Sequence, residues 1–104
     1  MEQYKADISE PAENDLLDIV RYISSQLSAP MTALNMMETI EKALSGLSQM
    51  PHRCPLVTDE RLAFMGYRKL NIENYIAFFE IDEKEMTVNI ERILYARRDW
   101  LQIL

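Results

Sequence analysis

The spacing of apolar residues along this chain changes from a period of two to a helical period and back. Tyr4, Ala6 and Ile8 alternate with Lys5 and Asp7, the pattern of a short strand. Ala12, Leu16, Ile19, Val20, Ile23 and Leu27 then form one stripe on a helix, whose other face carries Glu13, Asn14, Asp18 and Arg21. Ser9 supplies an N-cap, with Glu10 and Pro11 in the first turn. Ser28-Ala29-Pro30 breaks this helix, and Ala33, Met36, Met37, Ile40, Leu44 and Leu47 mark a second that Pro51 cannot continue. Helices over 9–27 and 30–49 joined by so short a break predict an antiparallel hairpin. Residues 51–64, from Pro51-His52-Arg53-Cys54-Pro55 to Phe64, read as an irregular connection, long enough to be a functional candidate and equally a plain crossover.

From Tyr67 onward the period returns to two. A tight turn at Glu73-Asn74 sets Ile72 opposite Tyr75, Leu70 opposite Ala77 and Arg68 opposite Phe79. A turn over Glu83–Met86 sets Ile81 opposite Val88, Phe79 opposite Ile90 and Ala77 opposite Arg92. The expected fold is therefore α+β: an N-terminal strand, a helical hairpin, then a three-stranded antiparallel meander whose apolar face receives the helical stripes. Unbroken alternation puts Arg68 and Arg92 on that same apolar face. A bare charge cannot stay there, so each must meet a carboxylate (Glu80, Glu91 or Asp99), be turned outward by a bulge, or line a working site.

A length of 104 residues predicts one domain over 1–104, and 48% hydrophobic residues suffice for one core but not for two. The opening Met1-Glu2-Gln3-Tyr4-Lys5 has no signal-peptide pattern, no apolar run is long enough to span a membrane, and Cys54 is the only cysteine. These features predict a cytoplasmic protein. Residues 1–50 hold three Lys/Arg against eight Asp/Glu, whereas residues 51–104 hold eight against nine. With a net charge of −6 the chain is not suited to bulk attraction to phosphate. No glycine-rich phosphate loop or zinc-ligand spacing occurs, so no cofactor and no metal are expected. His52 reads as an ordinary loop residue, Asp82-Glu83-Lys84-Glu85 as a charged hairpin tip, and Met31, Met36 and Met37 as core and contact surface. In the tail, alternation places Tyr95 and Arg97 on one side beside Glu91. Together they suit a phosphodiester, and equally a solvated strand end neutralised by Asp99 and Glu91.

Taken in order, Ser9-Glu10-Pro11-Ala12-Glu13-Asn14-Asp15-Leu16, Ile19-Val20-Arg21-Tyr22-Ile23, Leu47-Ser48-Gln49-Met50-Pro51, Tyr67-Arg68-Lys69-Leu70, Asn74-Tyr75-Ile76-Ala77-Phe78-Phe79-Glu80-Ile81 and Ile90-Glu91-Arg92-Ile93-Leu94-Tyr95-Ala96-Arg97-Arg98-Asp99 resemble the RelE/ParE toxins, the ParE branch more than the other. The resemblance implies a β-α-α-β-β-β toxin domain of a bacterial type II toxin–antitoxin, or plasmid-stabilisation, system, held in a hetero-oligomer with a cognate antitoxin. ParE-like members poison DNA gyrase; RelE-like members are mRNA interferases that cut messenger RNA on the ribosome. A RelE-like reading would make Arg68, Arg92 and Tyr95 catalytic. A ParE-like reading would make Arg92, Arg97, Arg98 and Trp100 the target-binding surface. Residues 51–64 contain no lysine, and Arg97-Arg98-Asp99-Trp100 stands where the ribonuclease branch carries His-Tyr or Tyr. Both departures favour gyrase over RNA; a family member without surviving activity is the third expectation.

Overall fold

A computed structural model of the chain describes residues 3–104; Met1 and Glu2, on which the signal-peptide expectation partly falls, lie outside the described residues. The element order is β1 (Lys5–Ile8), α1 (Glu10–Arg21), α2 (Pro30–Ser45), α3 (Glu60–Phe64), β2 (Arg68–Ile72), β3 (Tyr75–Asp82) and β4 (Thr87–Tyr95). This is the expected α+β order with one addition. The connection read as irregular contains a 3-10 turn at Pro51–Arg53 and the short α3, capped by Asp59, whose carboxylate accepts the Leu62 N–H at 3.0 Å.

Ser9 caps α1, accepting the Ala12 N–H on its hydroxyl at 3.1 Å. The helix does not run regularly to residue 27. It widens into a π turn over Tyr22–Gln26, which adds a residue to that turn and rotates everything after it. Leu27, expected on the buried stripe, is consequently 57% exposed. Ser28 then takes a left-handed φ of 50° and reverses the chain into α2.

The sheet order is β1-β4-β3-β2, with β1 parallel to β4 and the other pairs antiparallel. The first hairpin pairs as parity predicts, through a turn that holds Glu73 at a φ of 54°. In the second, Ile81 meets Val88 and Phe79 meets Ile90, but Phe78 then faces Arg92 and Ala77 faces Ile93. The expected pairing of Ala77 with Arg92 is therefore corrected: Glu91 is an extra residue in β4, a β-bulge. As a result Ile90 and Ile93, three positions apart, both enter the core against the helices, which unbroken alternation forbids. Backbone groups beside the bulge find partners on α1 and its cap. The Ser9 hydroxyl donates to the Glu91 carbonyl at 2.8 Å, the Ser9 N–H donates to that of Ile90 at 2.9 Å, and Asp15 accepts the Ile93 N–H at 3.0 Å.

Both helices cover one face of the sheet, burying Leu16, Ile40 and Leu44 with Phe79, Val88 and Ile90. Ile23 is buried too, though outside that cluster. The one-core expectation is corrected on the opposite face, where Val57, Leu62, Ile76, Phe78 and Leu94 form a second cluster roofed by Tyr67, Trp100, Ile103 and Leu104. The sequence carries this in the unbroken run Tyr75–Phe79, apolar at both parities as a strand covered on both sides must be. Among the described residues no helix is long and apolar enough to cross a membrane.

Candidate functional site

The bulge decides the fate of Arg92. Its Nε and a terminal guanidinium nitrogen donate to the two carboxylate oxygens of Asp15 on α1, at 2.7 and 2.8 Å. Asp15 is 11% and Arg92 26% exposed at the side chain, so the fork is largely shielded from water. The carboxylate hydrogen bond pushes the guanidinium pKa up, outweighing the opposing effect of burial. An ion pair was among the readings of this arginine, but its partner is Asp15 rather than Glu80, Glu91 or Asp99. The bulge at Glu91 also breaks the parity that linked the two arginines, since Arg68 lies opposite Phe79 and Arg92 opposite Phe78.

Arg68 is held differently. One guanidinium nitrogen donates to the Cys54 carbonyl at 2.6 Å and, at 3.4 Å, to that of His52. Arg68 thus ties the Pro51–Arg53 turn to the sheet edge, a use of the charge that sequence parity could not reveal. The same turn is fastened from the other side, because Glu83 accepts the Tyr4 hydroxyl at 2.8 Å and pairs with His52 Nε2. His52 is a clasp residue of the loop, and part of the charged hairpin tip is its anchor. Burial pushes the Cys54 thiol above its ordinary pKa, against the opposing pull of Arg53 and Arg68, so the reactive thiolate is disfavoured. Among the described residues no group of His, Cys, Asp and Glu is arranged to hold a metal ion.

The tail does not continue as a strand. β4 ends at Tyr95, and a turn closed by the Arg98 N–H on the Tyr95 carbonyl at 3.0 Å follows, so Glu91, Tyr95 and Arg97 do not line one side by alternation. Tyr95 packs edge-on against Tyr75, with ring centroids 5.9 Å apart. Arg97 and Arg98 are exposed on the turn, and Trp100 lies over Phe78 at 5.1 Å between centroids. Two open grooves flank α1. One, of 380 Å³, runs between the hairpin and β1 and is lined by Ile8, Leu17, Met37 and Leu44. The other, of 620 Å³, lies between the end of α1 and the β3–β4 rim, lined by Asp18, Tyr22, Tyr75, Tyr95 and Arg98.

Acidic groups gather where a phosphate-holding sheet would need cations. Burial, then the neighbouring Glu80, raises the Glu91 carboxyl pKa, and burial together with Glu91 and Glu80 raises that of the Tyr67 phenol. A raised carboxyl pKa means the folded state binds more protons than the unfolded chain. Stability should fall as pH climbs from the ordinary glutamate value of about 4.3 through the raised one. Glu91→Gln is expected to flatten that part of the profile and to stabilise the protein at pH 7. Urea midpoints measured between pH 4 and 7 for both proteins test this, and a parallel pair of profiles would refute it.

The family model for the ParE toxin of the type II toxin-antitoxin system parDE matches residues 6–100. Among solved structures, the chromosomal ParDE system of P. aeruginosa superposes with a TM-score of 0.76 at 21% identity, covering 93% of this chain and 100% of that one. The RelBE2 toxin–antitoxin complex of Mycobacterium tuberculosis gives 0.63 at 21% identity, covering 89% and 98%. The intact RelBE complex of E. coli gives 0.55 at 17% identity, covering 91% and 99%. No curated protein matches the chain. At these identities the structural matches establish the shared β-α-α-β-β-β fold.

Proposed function

The chain belongs to the ParE toxin family of type II toxin–antitoxin systems, and from that premise we propose that it is a ParE-like inhibitor of DNA gyrase rather than a ribosome-dependent ribonuclease. One observation carries the choice: the two sheet arginines that RNA cleavage would need are occupied within the fold. Arg92 is forked onto Asp15, and Arg68 donates to loop carbonyls. Stabilising a pentavalent phosphate needs donors aimed at the oxygens as charge develops, and donors already satisfied elsewhere must first be released. Glu80 and Glu91 nearby would oppose an RNA backbone as well. Arg97 and Arg98 remain exposed on the tail turn, with the partly exposed Trp100 beside them. Arg and Trp are residue types that anchor protein interfaces, and here they would meet the target.

On this reading residues 1–104 act as one cytoplasmic toxin domain, silenced by an antitoxin. Structural neighbours that are toxin–antitoxin complexes support such a partner, and the 380 Å³ groove with Leu17 and Met37 on its walls suits an amphipathic segment. The test is induced expression with and without the neighbouring reading frame, with plasmid supercoiling and mRNA integrity read from the same cells. The expected result is loss of supercoiling with intact mRNA, relieved by the neighbour's product. Arg97→Glu/Arg98→Glu should then weaken inhibition of purified gyrase by ~10-fold or more without moving the melting temperature. Codon-specific mRNA breaks with normal supercoiling would instead establish the ribonuclease.

A further inference from the structure

The 620 Å³ groove beyond α1 includes Tyr95 and Arg98, each drawn on by one reading of the toxin, but its other walls serve neither. Tyr22, Tyr75 and Tyr95 line it from a helix end and two strands, with Asp18 and Arg98 beside them. The Tyr75 and Tyr95 rings stand 67° apart, like adjacent walls of a box. Burial first, then Tyr95 and Tyr22, push the Tyr75 phenol above its ordinary range, so this ring keeps its hydroxyl neutral. Of the two carboxylates in the lining, Asp15 is saturated by Arg92 and the Ile93 N–H. Asp18 reaches only an exposed Arg21 at 3.8 Å, leaving its charge open to a ligand.

We infer that this groove is a cation-binding cage that takes an arginine side chain from a basic segment of a partner protein. Tyrosine faces attract a cation through the ring quadrupole, and a planar guanidinium can stack on one ring while forking onto a carboxylate. Charge complementarity rests on Asp18, the one carboxylate of the lining that the fold does not use. Tyr22 and Leu27, 53% and 57% exposed, extend the cage into an apolar rim for the rest of the segment. Arg98 lines the same space and forms no ion pair among the described residues. Its guanidinium is a resident competitor that the incoming arginine displaces. The inference does not depend on which target the toxin acts upon.

The role of Arg98 gives the test its sign. Calorimetric titration of the isolated protein with N-acetyl-arginine amide, followed in parallel by the tyrosine ring signals in NMR spectra, should show saturable binding within about 10 mM. N-acetyl-citrulline amide, which keeps the shape but lacks the charge, should bind ~10-fold more weakly. Asp18→Asn and Tyr22→Leu, both at exposed positions, should each weaken arginine binding several-fold, while Arg98→Ala should strengthen it. A flat titration, equal binding of citrulline, or unchanged affinity in the Tyr22 variant would overturn the cage. Weaker binding after Arg98→Ala, or a preference for adenosine monophosphate over arginine, would show instead a site for anions.

Discussion

Asp15→Ala is expected to cost about 3–5 kcal/mol of folding stability, because it leaves a shielded guanidinium without its counter-charge. Two losses combine at this position. Arg92 forfeits both arms of its fork, and the Ile93 N–H, set beside the bulge, loses the acceptor that Asp15 provides. Asp15→Asn keeps an acceptor and the side-chain volume, so it should lose less. Asp15→Ala/Arg92→Met should also lose less than Asp15→Ala alone, since removing both charges leaves nothing unpaired. Urea denaturation with a constant m-value measures all three. A cost within about 0.5 kcal/mol of zero for Asp15→Ala would class the fork with exposed surface pairs, and the account of Arg92 as a structural residue would fail.

That account marks where sequence reasoning reached its limit. Parity set the first hairpin's register correctly down to Arg68 opposite Phe79, because a two-residue turn leaves no freedom in the pairing. It also set the start of the second, and failed three residues later at Glu91. The bulge adds one residue and carries no glycine or proline to mark its place. In retrospect the signal lay in Ile90 and Ile93, both apolar at a spacing that a regular strand cannot bury on one side. Leu27 failed for a related reason, the π turn having rotated it out of the stripe. The candidate arginines were found because charges at core parity are rare. What they touch is not local: Arg92 meets Asp15, 77 positions away, and Arg68 meets the Cys54 and His52 carbonyls, 14 and 16 positions away, which no strand pattern encodes.

Phe78→Ala should be as damaging as the loss of Asp15, at about 3–5 kcal/mol, and should act on the other side of the sheet. Phe78 is fully buried and is the floor on which Trp100 rests. Its removal opens a cavity beneath the tail, and the small cluster of Val57, Leu62, Ile76 and Leu94 has little apolar mass with which to refill it. Phe78→Leu should cost much less, because it retains most of the volume. Trp100 is the chain's single tryptophan, so its fluorescence reports the tail alone. In Phe78→Ala the emission should shift to the red before the far-ultraviolet dichroism signal of the helices is lost, as the tail releases from a hairpin that remains packed on the opposite face. Coincident transitions with both probes would mean that the two clusters melt as one unit. Trp100 would then be a core residue of the whole fold, and deleting everything after Leu94 would test folding rather than target binding. For this reason the Arg97 and Arg98 substitutions, which leave Trp100, Ile103 and Leu104 in place, are the cleaner probe of the toxin's target surface.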